Sequence, residues 1–200
     1  MTRRGDTLEL AVLGLLHENP MHGYELRKQL NVVLGWGRVL SYGSLYPALK
    51  KMLKGGWITE HVTAPEAGAG VSRRQRIVYE LTPAGDERFA KLMSDAGPAT
   101  WEDDNFDVRF AFFGRTDREI RLRILEGRRT RLEERLARFQ QETSSSRGAP
   151  THNSYAAELR RHGLESVERE VRWLSDLIAT ERSGGPHAGP ARPAQQTDGN

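Results

Sequence analysis

Apolar residues recur at helical spacing in three stretches near the start of the chain, then alternate in two shorter ones. Leu8, Val12, Leu15 and Leu16 form one side of a first helix. Thr7 is placed to cap it, and Asn19-Pro20 stops it after about His17. Tyr24, Leu26, Leu30, Val33 and Leu34 mark a second helix, from His22 to about Leu34, broken by Gly35-Trp36-Gly37. Leu45, Leu49, Met52 and Leu53 mark the inward face of a third, which Gly55-Gly56 ends after Lys54. Its start turns on Pro47. A Ser41 cap would put that proline in the second turn, at the cost of a hydrogen bond. A Ser44 cap puts it in the first turn, where a missing N–H is tolerated, so the helix is expected to begin at Ser44.

The runs Trp57–Thr63 and Gln75–Leu81 read as strands; in the second, Ile77, Tyr79 and Leu81 alternate with Val78 and Glu80. Between them lies a Gly- and Ala-rich loop, Pro65–Ser72, followed by Arg73, Arg74 and, just inside the strand, Arg76. Thr82-Pro83 opens a fourth helix, to about Met93, with threonine as cap and proline at the first helical position. Two long amphipathic helices are expected beyond. One runs from Asp117 to about Glu142, with Ile120, Ile124, Leu125, Leu132, Leu136 and Phe139 on its stripe. The other runs from His152 to about Arg182, with Tyr155, Leu159, Val167, Val171, Leu174 and Ile178. The expected fold class is mainly α with a small β-hairpin: an N-terminal winged helix-turn-helix and a C-terminal helical dimerisation domain. The division is 1–94 for the winged domain, 95–104 for a connector, 105–182 for the helical domain, and 183–200 for a tail that composition marks as disordered.

Charge sharpens the reading of the third helix. The chain carries a net charge of only +3, so its basicity matters where it is local. From Leu26 to Thr59 there is no Asp or Glu, while Arg27, Lys28, Arg38, Lys50, Lys51 and Lys54 fall in that stretch. A surface without carboxylates suits a phosphate backbone, which would repel them. Cysteine is absent, which excludes disulfides and thiolate metal sites. The six histidines, His17, His22, His61, His152, His162 and His187, are scattered, and no HExxH or Walker-type loop occurs. Neither an enzyme nor a metal or cofactor protein is expected. No run reaches bilayer length, and Glu9 and Glu18 bracket the first apolar stretch, against a signal peptide. A cytoplasmic, nucleoid-associated protein fits these features.

His22-Gly23-Tyr24-Glu25-Leu26, Gly43-Ser44-Leu45-Tyr46-Pro47-Ala48-Leu49 and Tyr79-Glu80-Leu81-Thr82-Pro83-Ala84-Gly85 occur in an order that resembles the PadR family of bacterial transcription regulators. The likeness covers about Thr7 to Phe89. A looser one, through Phe106-Asp107-Val108-Arg109-Phe110 and the two long helices, is to the longer-tailed branch. The resemblance implies a homodimer joined by its C-terminal helices, and often a repressor released by a small molecule.

On this reading the partner is double-stranded DNA. A twofold dimer sets two reading helices about one DNA turn apart, so the operator is a pseudo-palindrome. Ser44 and Tyr46 lie near the start of the reading helix, where base edges are met, and Lys50, Lys51 and Lys54 suit phosphate positioning. Tyr46 sits at the margin of the apolar face and also fits a core role; Lys54 fits a solvated helix end equally well. Arg73, Arg74 and Arg76 suit phosphates or a narrow minor groove. Thr7, His22 and Tyr24 are further candidates at helix starts, with simple capping as the alternative for His22. Trp36, Trp101, Phe106, Phe110, Phe113 and Trp173 are the candidate lining of an effector pocket, against ordinary packing; Trp101 stands out because no helix stripe requires it. An architectural DNA-binding protein or a protein-interaction adaptor is the opposing function class.

Overall fold

The structure, a computed structural model, describes residues 3–34, 42–63, 76–145 and 154–184. Seven α-helices and three strands lie among them: α1 (Arg3–Glu18), β1 (Met21–His22), α2 (Gly23–Val33), α3 (Tyr42–Lys54), β2 (Ile58–Thr63), β3 (Arg76–Leu81), α4 (Pro83–Met93), α5 (Asp103–Ala111), α6 (Arg118–Ser145) and α7 (Ser154–Arg182). They gather into two units, Met1–Asp95 with Glu102–Phe113, and Ala96–Trp101 with Gly114–Asn200.

In the first unit α1 is the central post. Leu10, Leu13, Leu16, Leu26, Leu49 and Met52, all nearly inaccessible, meet in one core. Thr7 does not cap α1, which begins four residues earlier. It lies inside the helix, buried, and its hydroxyl donates to Oδ1 of Asn105 on α5. The third helix also starts before Ser44, at Tyr42, so Pro47 stands inside it. The hydrogen bond this forgoes is cheap here, because Pro47 and Gly43, whose carbonyl loses the donor, are both exposed to solvent.

The end of α3 follows its glycines. Gly56 takes φ +69°, a left-handed conformation that a side chain would disfavour. Its N–H donates to the Leu53 carbonyl at 3.1 Å, and the Trp57 N–H to that of Met52 at 3.0 Å, a Schellman closure that turns the chain directly into β2. The hairpin pairs antiparallel from Ile58↔Leu81 to Thr63↔Arg76. A strand absent from the sequence expectation completes the sheet: β1 pairs with β3 at Met21↔Tyr79 and His22↔Val78, giving the order β1-β3-β2. The α4 cap is as expected, with Thr82 Oγ1 accepting from the Gly85 N–H at 3.1 Å and donating to the Gly56 carbonyl at 2.6 Å. A Cβ on Gly85 would stand 2.0 Å from the Trp57 carbonyl oxygen, so only glycine lets α4 approach the hairpin base this closely.

One boundary differs from the expectation. The segment 105–113, assigned from sequence to the C-terminal domain, packs with the first unit as α5 and the turn after it. Phe112 lies against Gly14 of α1, and buried Arg109 donates to the Leu92 carbonyl at 2.7 Å and the Asp95 carbonyl at 3.1 Å, closing the end of α4. Burial lowers the Arg109 pKa from its ordinary value, with Asp95 opposing the shift.

In the second unit α6 and α7 pack along one another. Ile124, Leu125, Leu132, Val167, Leu174 and Ile178 are buried. Among the described residues three ion pairs join the helices: Arg121 grips Glu181 through Nε at 3.1 Å and a terminal nitrogen at 2.7 Å, Arg128 reaches Glu170, and Arg182 of α7 reaches Glu126 at 2.7 Å. Arg118 donates to the Glu181 and Arg182 carbonyls, placing a cation at the negative end of α7. The stripe on α7 is not fully covered, since Tyr155 is 85% and Leu159 72% exposed.

Candidate nucleic-acid interface

Successive residues of a helix lie 100° apart, which sorts the sides of α3. Leu45, Leu49 and Met52 point inward and are at most 1% exposed. Gly43, Pro47, Lys50 and Lys54 share the opposite side, all exposed. Ser44 and Lys51 occupy one flank of that side, and Tyr46 the other, all exposed too. The surface of α3 therefore presents hydroxyl, phenol and ammonium groups, with no carboxylate of its own.

Tyr46 is 48% exposed and leans toward α2: its hydroxyl would stand 3.7 Å from a Cβ on Gly23. It is thus a marginal residue in fact as in pattern. Its neighbour Tyr79 is a buried phenol whose pKa is raised, chiefly by burial, then by Glu60 and by Tyr46 itself. At the start of α2, Tyr24 is 68% exposed. His22 is the N-cap residue by backbone position, but its side chain makes no cap bond; its Nδ1 instead lies 3.4 Å from the Ile77 carbonyl of β3.

Two expected DNA residues point elsewhere. Thr7 is buried against Asn105, so its hydroxyl is committed to the core. Lys51 is exposed, but its ammonium donates to Glu9 Oε2 at 3.0 Å. The other Glu9 oxygen accepts from Arg88 of α4, from Nε at 2.8 Å and a terminal nitrogen at 2.7 Å. By pattern alone, Glu9 reads only as a charge at the edge of an apolar run. A signal was there: Glu9 shares its helix side with Val12, Leu13 and Leu16, and a carboxylate on an apolar side implies a buried partner. Arg76 begins β3, opposite Thr63; Arg73 and Arg74 lie outside the described residues, as does the loop 65–72.

The candidate effector aromatics divide between the two units. Phe106, Phe110 and Phe113 form one cluster in the first, with centroid separations of 5.7 Å (106–110), 6.4 Å (106–113) and 5.2 Å (110–113). Trp101 and Trp173 belong to the second, and Trp36 lies outside the described residues. Trp101 has a packing partner after all. Its indole rests on Gly127 of α6, and its carbonyl accepts from Arg128 at 2.9 Å. Trp173 is 41% exposed.

A helix pair, an exposed third helix and a hairpin held in the same sheet define the first unit as a winged helix-turn-helix. Residues 12–91 match the profile of the Transcriptional regulator PadR-like family, and through this unit the chain belongs to that family. No curated protein matches the chain. Among solved structures, a candidate transcriptional regulator from Thermoplasma acidophilum is 30% identical over 44% of this chain and 76% of its own, with a TM-score of 0.37. Bacillus subtilis PadR in complex with operator DNA is 21% identical over 87% of this chain and 98% of its own, with a TM-score of 0.42. The same protein in complex with p-coumaric acid is 20% identical, over 88% and 99%, with a TM-score of 0.39. Among the described residues no helix is long and apolar enough to cross a membrane.

Proposed function

We propose that this PadR-family regulator binds double-stranded DNA through the exposed side of α3, as a homodimeric repressor on a pseudo-palindromic operator. The observation that carries the reading is the composition of that side: Ser44, Tyr46, Lys50 and Lys54 outward, with no carboxylate on the helix. Ser44 and Tyr46, near the N-terminal end, meet base edges, while Lys50 and Lys54 hold phosphates. Tyr24 and His22 add contacts where α2 begins, and Arg73, Arg74 and Arg76 where the wing meets the backbone.

Dimerisation is supported by the apolar stripe of α7, along which Tyr155 is 85% and Leu159 72% exposed. A second copy would cover them and set two winged units on one duplex. Release by a small-molecule effector completes the proposal; the protein acts in the cytoplasm, on the chromosome.

Genome-wide selection of bound fragments, followed by footprinting, tests this. The expected result is protection of discrete sites, each with two related half-sites. Uniform coating of any duplex would instead identify an architectural protein, and no binding would end the DNA reading. Sedimentation at micromolar concentration tests the dimer, which a monomer would overturn.

A further inference from the structure

The carboxylate of Glu9 is only 2% exposed, yet both its oxygens are taken by cations from two different helices, Lys51 of α3 and Arg88 of α4. Those cations also share the Trp57 ring at the root of the hairpin: the Arg88 guanidinium carbon stands 4.9 Å from its centroid and the Lys51 ammonium 5.8 Å. Leu45, Leu49 and Met52 supply the apolar grip on α3. Apolar contact is non-directional and resists rolling of a helix about its axis only through packing. An ion pair made at one flank fixes the roll, because the ammonium must reach one particular oxygen. Lys51 lies on the same flank as Ser44, two turns along. Holding Lys51 therefore holds the angle at which Ser44 faces outward.

We infer that Glu9 is a positioning residue for DNA reading. It never meets DNA. It locks the roll of α3 through Lys51 and withdraws that lysine from the phosphates, leaving Lys50 and Lys54 to neutralise charge from this helix. The inference rests on the DNA-binding reading above. It predicts that Lys51, although exposed and basic, contributes to sequence discrimination and not to the salt dependence of binding.

The test compares the full-length protein with Lys51→Met, Lys50→Met and Glu9→Gln. The probes are the duplex that the wild-type protein selects from a randomised pool and a mixed-sequence duplex of equal length, titrated over a series of salt concentrations. Lys50→Met should lower the slope of log affinity against log salt by about 1. Lys51→Met, which leaves the Glu9–Arg88 pair in place, should keep the wild-type slope while discrimination between the two duplexes falls about tenfold. Glu9→Gln should lose discrimination likewise and raise the slope, because its lysine is released toward the backbone. A Lys51→Met slope that falls like that of Lys50→Met, with discrimination intact, overturns the inference and makes Lys51 a phosphate contact. Full discrimination by Glu9→Gln overturns it too. A wild-type protein that selects no duplex removes the DNA-binding reading itself, a result distinct from either.

Discussion

The Cβ that Gly127 lacks would stand 2.0 Å from Cε2 of Trp101, so the indole lies flat against the backbone of α6. An exposed helical glycine gains about 1 kcal/mol on replacement by alanine. Here the methyl must displace a ring whose carbonyl is tied to Arg128 at 2.9 Å, and forcing extra volume into such a contact costs about 1–3 kcal/mol. Gly127→Ala is expected to lower the unfolding midpoint and to shift the part of the tryptophan emission that Trp101→Phe removes. A raised midpoint would mean that the ring is not seated there.

Arg121 and Glu181 are 3% and 7% exposed and joined by two hydrogen bonds. Removing one partner of such a pair leaves an uncompensated buried charge and costs about 3–5 kcal/mol. Glu181→Ala should therefore reduce stability by that order in denaturant titration. Glu158→Ala removes the carboxylate of a fully exposed pair with Arg161 on the same helix and should leave the midpoint unchanged.

Tyr79 gives a pH signature. Its folded pKa is raised above the ordinary 10.0, first by burial and then by Glu60 and Tyr46. A raised value means that the folded state favours the neutral phenol. The associated stability is whole below pH 10 and is lost as pH climbs through the folded value. One of the five tyrosines should thus ionise late in an absorbance titration of the native protein. Tyr79→Phe should delete that late step and flatten the alkaline loss of stability; if the late step survives, it belongs to another tyrosine.

Ser44→Ala and Lys54→Ala should separate two kinds of contact on α3. The first is expected to alter which sequences are bound, at a cost of about 1–3 kcal/mol at the affected base pair and with the salt slope preserved. The second should weaken binding to every sequence alike and reduce the slope by about 1. Competition binding on a panel of single-base operator variants distinguishes these outcomes, and identical profiles for the two variants would show the sorting to be mistaken.

Much of the winged unit was legible because its signals are local. Thr82-Pro83 specifies a cap and Gly55-Gly56 a stop, and neither depends on anything distant in the chain. What escaped was set by distant partners. Met21-His22 is too short for a strand pattern and becomes one only because β3 offers a ladder. The start of α1 moved because Thr7 found Asn105, far along the chain, in place of a backbone N–H at a helix end. The α3 start at Tyr42 shows that a local proline rule yields when the lost bond faces water. In the site, the outward set expected from helical spacing was Ser44, Tyr46, Lys50, Lys51 and Lys54, and all five are exposed. The diversion of Lys51 required knowing that Glu9 comes within 3.0 Å of it.

The small strand at Met21-His22 changes what kind of object the wing is. The same two residues of β3, Val78 and Tyr79, are bonded on one edge to β1 and on the other to β2, opposite His61 and Glu60. With β1 running straight into α2, the hairpin and the helix pair are rungs of one ladder, not neighbours joined by a hinge. A tilt of the wing is delivered through backbone hydrogen bonds to the first turn of α2. A duplex that bends the hairpin would therefore be felt, mechanically, at Gly23 and Tyr24.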